Sequence, residues 1–171
     1  MSRPSRRAAL AWPAGLVAAA VLCGLAAWSY ADTRGDDALS YGKARDSALA
    51  AGRHDLARLN TVDPAHVDRD LDGWLSTTTG PLHDQLARTH RADEASLKAS
   101  GTATSGTVTD AAVTELDTRA GTAKMIATVR VRLTPTGGAA STDRKRFEAD
   151  LSRTGDGWKL AALTAVPVGA S

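Results

Sequence analysis

The chain has 171 residues, room for one domain plus an additional segment. Its 21 Lys and Arg stand against 19 Asp and Glu, but Arg3, Arg6 and Arg7 precede a charge-free run; without those three, 18 basic and 19 acidic residues remain, a formal charge of −1. That balance excludes the basic surplus that nucleic-acid binding needs, and a single Cys23 excludes an intrachain disulfide or a multi-cysteine metal site.

Residues 1–7 form a basic tail. Ala8 to Ala31 follows as 24 residues without a charge. At 1.5 Å per residue such a helix is about 36 Å long, enough to cross a hydrocarbon core of about 30 Å. Trp12 and Trp28 bracket the run and Tyr30 lies just beyond, as expected of rings at the headgroup boundary. Pro13 falls in the first turn, where its missing N–H is tolerated. Arg3, Arg6 and Arg7 direct the N-terminus to the cytoplasm. The expectation is a single-pass protein of the inner or plasma membrane, in contact with bilayer lipid, with everything after Ala31 extracytoplasmic. A cleaved signal peptide ending at Ser29-Tyr30-Ala31 is the competing reading, disfavoured by the length of the apolar run. Lipidation of Cys23 is disfavoured because Leu25 to Trp28 continue that run.

Residues 32–37 (DTRGDD) read as a hinge, and 38–171 as one α+β domain. From Ala38 to Asn60, Leu39, Ala44, Ala48, Leu49, Ala51, Leu56 and Leu59 fall mostly on one helical face, with Gly52 as a weak point. Asp63 is read as an N-cap with Pro64 opening a second helix to Thr78, striped by Val67, Leu71, Trp74, Leu75 and Thr78. Gly80-Pro81 breaks it. A third helix, Leu82 to Lys98, soon turns polar and reads as a solvated lid or connector. Beyond Gly101 the period becomes two. Strands are expected over Thr102–Leu116, Lys124–Arg132, Arg146–Ser152 and Trp158–Val166, with a loop over Thr134–Thr142 and a tight turn at Thr154-Gly155-Asp156-Gly157. Three helices followed by a four-stranded antiparallel meander are therefore predicted.

Four features in order resemble the Mce-associated membrane proteins of actinobacteria. They are the basic tail and span, Arg3 to Tyr30, and then Leu59-Asn60-Thr61-Val62-Asp63 with Trp74-Leu75-Ser76-Thr77-Thr78-Thr79-Gly80. Ser105-Gly106-Thr107-Val108 and the closing hairpin, Asp150 to Arg153 with Gly157-Trp158-Lys159-Leu160, complete the set. The chain departs from that family at Pro81-Leu82, where an aromatic residue usually follows the Thr-Gly step. The resemblance implies an NTF2-like cone, helices packed into a curved sheet, and a non-catalytic accessory role in lipid or sterol import beside Mce transporter subunits. It carries no catalytic residue, cofactor or metal ligand.

The residues themselves point the same way about chemistry. His54, His66, His83 and His90 lack metal-ligand spacing and read as surface groups. Asp110 and Asp150 are the remaining carboxylates for a cone-type acid–base site, and alternation turns Asp150 outward. Trp74, Met125, Val129, Phe147 and Trp158 line the core, or a pocket if one is open. Arg144-Lys145-Arg146 reads as a solvated strand end, and Arg130 and Arg132 as cross-strand partners of Glu148 and Asp150. Exposed sheet edges invite pairing with another chain, and a homo-oligomer stays open. Two other functions remain in view. One is an apolar-ligand module, which requires a lined cavity of about 300 Å³ or more. The other is a scaffold of the type IV secretion kind, whose inner-membrane subunits share the layout of anchor plus NTF2-like domain.

Overall fold

The computed structural model describes residues 38–167. The expected anchor with Trp12, Trp28, Tyr30, Arg3, Arg6 and Arg7, and the hinge, lie outside the described residues. Among the described residues no helix is long and apolar enough to cross a membrane. The chain divides into two compact units, Met1–Gly42 and Lys43–Ser171, and the fold below is that of the second.

Helix α1 covers residues 38–59, α2 Val67–Ser76 and α3 Gly80–Ser100. Four strands follow, β1 Thr102–Asp117, β2 Thr122–Pro135, β3 Ser141–Thr154 and β4 Gly157–Val166, in one antiparallel sheet of order β1-β2-β3-β4. The switch of hydrophobic period at Gly101 marks the boundary between helices and sheet, and Gly101 itself ends α3 in the left-handed conformation at φ 56°. All four strands run longer than the alternation alone predicts. β3 begins five residues earlier than Arg146, through the polar stretch Ser141–Lys145 that overlaps the expected loop, because its ladder to β2 continues there without any apolar requirement.

The register places Val108, Val113, Ala123, Met125, Ala127, Val129, Phe147, Ala149, Leu151, Trp158 and Leu160 on the buried face, packed with Ala48 and Leu56 of α1. Register shifts at Val108/Asp110, Val113/Glu115 and Asp150/Leu151 insert extra residues. Such bulges bend a sheet and raise its twist, so it can wrap the helical layer.

Two helix starts differ from expectation. Asp63 caps a turn rather than α2: its carboxylate accepts the N–H of Ala65 at 3.0 Å and contacts His66 Nδ1 at 2.7 Å, while its own N–H donates to Asp70 Oδ2 at 2.7 Å. Pro64 sits in that turn, and α2 begins at Val67 after His66. Gly80-Pro81 does not separate the second and third helices by a loop. It forms the first turn of α3, with Thr79 extended before it and Pro81 in a position that needs no N–H donor. α3 buries no residue fully. It is held to α2 by Leu97, which packs on Val62, Val67 and Leu71, and by Lys98, whose Nζ meets Glu94 at 2.7 Å and Asp68 at 3.2 Å.

Candidate interaction surface

The helix–sheet interior is filled. Leu56, Met125, Val129, Leu151 and Leu160 are fully buried. Gly52, the apparent weak point of α1, is where the helix comes closest to the sheet. A Cβ there would lie 2.7 Å from Met125 Cε and 3.1 Å from Leu151 Cδ2. Phe147 and Trp158 are buried in the same cluster, whereas Trp74 is half-buried beside the smaller Val62–Val67–Leu71 cluster. Its indole N–H donates to the Arg58 carbonyl at 3.0 Å.

One core residue escaped the sequence reading. Asp55 is 5% exposed on the inward face of α1, and burial pushes its carboxyl up to about 6, against the opposing pull of His54, Arg58 and Lys159. The signal was available, because Ala48, Gly52, Asp55 and Leu56 share one helical stripe. Asp55 lines neither of the two grooves described below.

Neither sheet edge is free along its length. At β1, Val62 and Thr104 exchange backbone hydrogen bonds of 3.0 and 2.9 Å, and Gly106 N–H donates to Thr61 Oγ1 at 3.1 Å. At β4, Leu160 N–H donates to the Thr77 carbonyl at 3.1 Å and Thr79 N–H to the Leu160 carbonyl at 2.8 Å. Thr77 and Thr78 are buried at this joint, with hydroxyls donating back to carbonyls at the end of α2. Each edge is thus docked by the chain's own segments over a short stretch, Thr104–Gly106 of β1 and Leu160 of β4, and the remainder of both edges carries no such bridge. These joints are also where the recognised motifs meet: Asn60-Thr61-Val62 on Ser105-Gly106-Thr107, and Thr77-Thr78-Thr79 on Trp158-Lys159-Leu160.

What remains open is the sheet face opposite the helices. An external groove of about 440 Å³ crosses it, lined by Asp110, Ala112, Ile126, Thr128, Arg146, Glu148 and Val166 among others. Ile126 is 48% exposed at its centre. A second groove of about 520 Å³ lies at the end of the sheet beside the start of α3, lined by Pro81, Leu116, Ala123 and Leu151 as well as Lys124 and Asp150. The register corrects the expected ion pairs. Arg130 faces Arg144, Arg132 faces Thr142, and Ile126 faces Glu148. Lys124 instead takes Glu115, at 3.0 Å, and that hydrogen bond, helped by Asp150 and Glu148, raises its pKa. Asp110 and Asp150 are both exposed on this outer face. The histidines are dispersed, with His83 near Asp84 and His90 near Asp72, each at 3.7 Å. Among the described residues no three metal-ligating side chains converge.

No protein-family model matches the sequence, and no curated protein matches it. Solved structures do. An IcmL-like type IV secretion system protein from Legionella pneumophila is similar with a TM-score of 0.60 at 10% identity, over 74% of this chain and 95% of that one. The periplasmic domain of DotI gives 0.58 at 11% identity, over 70% and 93%. CagV, a VirB8 homolog of the type IV secretion system of Helicobacter pylori, gives 0.57 at 8% identity, over 72% and 99%. The chain shares their fold. It is an arrangement of three helices on a four-stranded antiparallel sheet. At these identities the likeness extends to fold and no further.

Proposed function

We propose that the protein is a non-catalytic scaffold subunit of an envelope assembly, with the domain from Lys43 onward held outside the cytoplasm by the Ala8–Ala31 segment. The observation that carries this reading is the contrast between the two faces of the sheet. The inner face is closed by α1 down to a missing Cβ at Gly52, while the outer face presents an open, charged surface with an apolar centre. A filled interior suits a structural part and leaves little room for an internal ligand. The shared fold with type IV secretion system proteins supports the same reading, and a secretion-type assembly is its first form.

A second form, an accessory subunit beside a Mce-type lipid importer, is supported by the ordered motifs. Those motifs, however, sit at the two joints between helices and sheet edges, so a need to fold explains them as well as a need to bind. Solubilising native membranes and copurifying the full chain separates the two forms by the partners recovered. Recovery of envelope-assembly subunits is expected; a monomer that brings no protein with it would contradict both.

A further inference from the structure

Strand β3 has β2 on one side and β4 on the other, but β4 stops short of its start. The ladder to β2 continues as far as Ser141 opposite Leu133, whereas the ladder to β4 ends at Arg146 opposite Val166, and Pro167 lies outside the strand. Among the described residues, 141–145 therefore keep one free edge, about 17 Å long at ~3.4 Å per residue. The register shows which backbone groups face it. On β2 the Thr128 carbonyl is turned toward β1, where it accepts the Thr109 hydroxyl at 3.3 Å. Val129 and Val131 thus address β3, and Lys145 and Asp143 opposite them answer. Thr142 and Arg144 are left with N–H and C=O directed outward from the sheet edge. The Arg144 N–H accordingly donates to the Asp143 carboxylate at 2.8 Å. A side-chain oxygen holds the place of a missing strand.

The same stretch is strongly basic. Arg144, Lys145 and Arg146 of β3, with Arg130 and Arg132 beside them on β2, stand against the single carboxylate of Asp143, a formal charge of +4. None of these five cations forms an ion pair with a described residue. Arg130 and Arg144 face each other directly, and like charges so placed are destabilising.

We propose that this edge accepts an extended acidic segment of a partner protein as an added strand in the line of β4. Unpaired backbone groups at an edge are a template for such addition. The incoming backbone takes the N–H and C=O of both Thr142 and Arg144, and its acidic side chains lie opposite Arg144 and diagonal to Arg146. Asp143 is the gate, since its carboxylate must leave the Arg144 N–H before a strand can enter. The same edge of a second copy brings the same cations, and an anionic lipid surface answers the charges but not the backbone groups. The site rests on the scaffold reading for the idea that the domain meets a protein, and it adds where and what kind of segment.

The test titrates the full-length chain in detergent with a fluorescein-labelled peptide, Glu-Val-Glu-Val-Glu-Val, followed by anisotropy and by hydrogen–deuterium exchange over residues 141–146. Saturable binding is expected, with exchange at Thr142 and Arg144 slowed at least about tenfold and affinity falling roughly tenfold between about 50 and 500 mM salt. The same peptide N-methylated at every peptide bond, and Lys-Val-Lys-Val-Lys-Val, should each bind at least about tenfold more weakly. Asp143→Ala opens the gate and should tighten binding at least about threefold, while Arg144→Gln should weaken it by a similar factor; circular dichroism checks that both fold. Equal binding of the N-methylated peptide would reduce the site to charge alone and overturn the proposal. So would weaker binding by Asp143→Ala, unchanged exchange at the edge, or edge amides already protected without peptide, as a second copy or the chain's own end would make them. Such a failure removes this site while copurification still decides the scaffold reading separately.

Discussion

At the residue scale the decisive group is Asp55. A carboxyl whose pKa is raised from 3.8 to about 6 by burial binds its proton more tightly in the folded chain than in the unfolded one. Its favourable contribution is therefore complete below pH 3.8 and disappears as pH rises through 6. Asp55→Asn removes the cost of a buried charge. It should stabilise the protein by about 1–3 kcal/mol at pH 7.5, since each pKa unit is worth about 1.4 kcal/mol. The gain should shrink toward zero near pH 4. Urea unfolding of both proteins between pH 4 and 8 measures the difference; equal effects at both ends would show that Asp55 does not titrate in the core. Exposed Asp63, Asp68 and Asp117 are shifted downward, respectively by His66, by Lys98 and by the backbone N–H groups of Ala120 and Arg119. They act in the opposite sense and cancel in the comparison. Asp55 was hidden from sequence reading by its identity, although its place on the Ala48–Leu56 stripe was in plain view.

At the scale of elements, the alternation in β2 and β3 and the stripe of α2 correctly separated buried from exposed positions, since both are set by local period. Strand lengths and helix starts were less legible. A ladder can extend through Ser141–Arg146 without any apolar pattern, and Asp63 can cap a turn as readily as a helix. The joints at the sheet edges depend on long-range proximity, which no local pattern encodes. They make a specific demand on Gly106, where a Cβ would lie 2.6 Å from Asn60 Cβ and 2.9 Å from the Ala57 carbonyl oxygen. The helix end cannot withdraw without loosening the Thr61 and Val62 hydrogen bonds to β1. Gly106→Ala should destabilise the domain by about 1–3 kcal/mol, in the range of overpacking at a closed contact, and a denaturation midpoint unchanged from the native chain would refute that account. The cross-strand partners of Arg130 and Arg132 were misassigned for a related reason: alternation gives the face a residue occupies but not the residue opposite it, which the hairpin connections determine.

At the scale of the whole molecule, the fold class and the order of the meander were readable from the change of period at Gly101 and from the turn signals. The proposed interaction surface was not. It emerges only when the register brings Arg130 and Arg144 together and leaves Ile126 exposed between opposite charges. With α1 closed on the inner face at Gly52, the outer face is an open surface for a partner. A photo-crosslinking amino acid placed at Ile126 in the full-length chain, activated in native membranes, tests this most directly, with Arg88 on the exposed side of α3 as the control position. Covalent protein adducts at residue 126 and none at residue 88 are expected. Adducts to lipid alone, or no adduct at residue 126, would contradict a scaffold that works through its outer sheet.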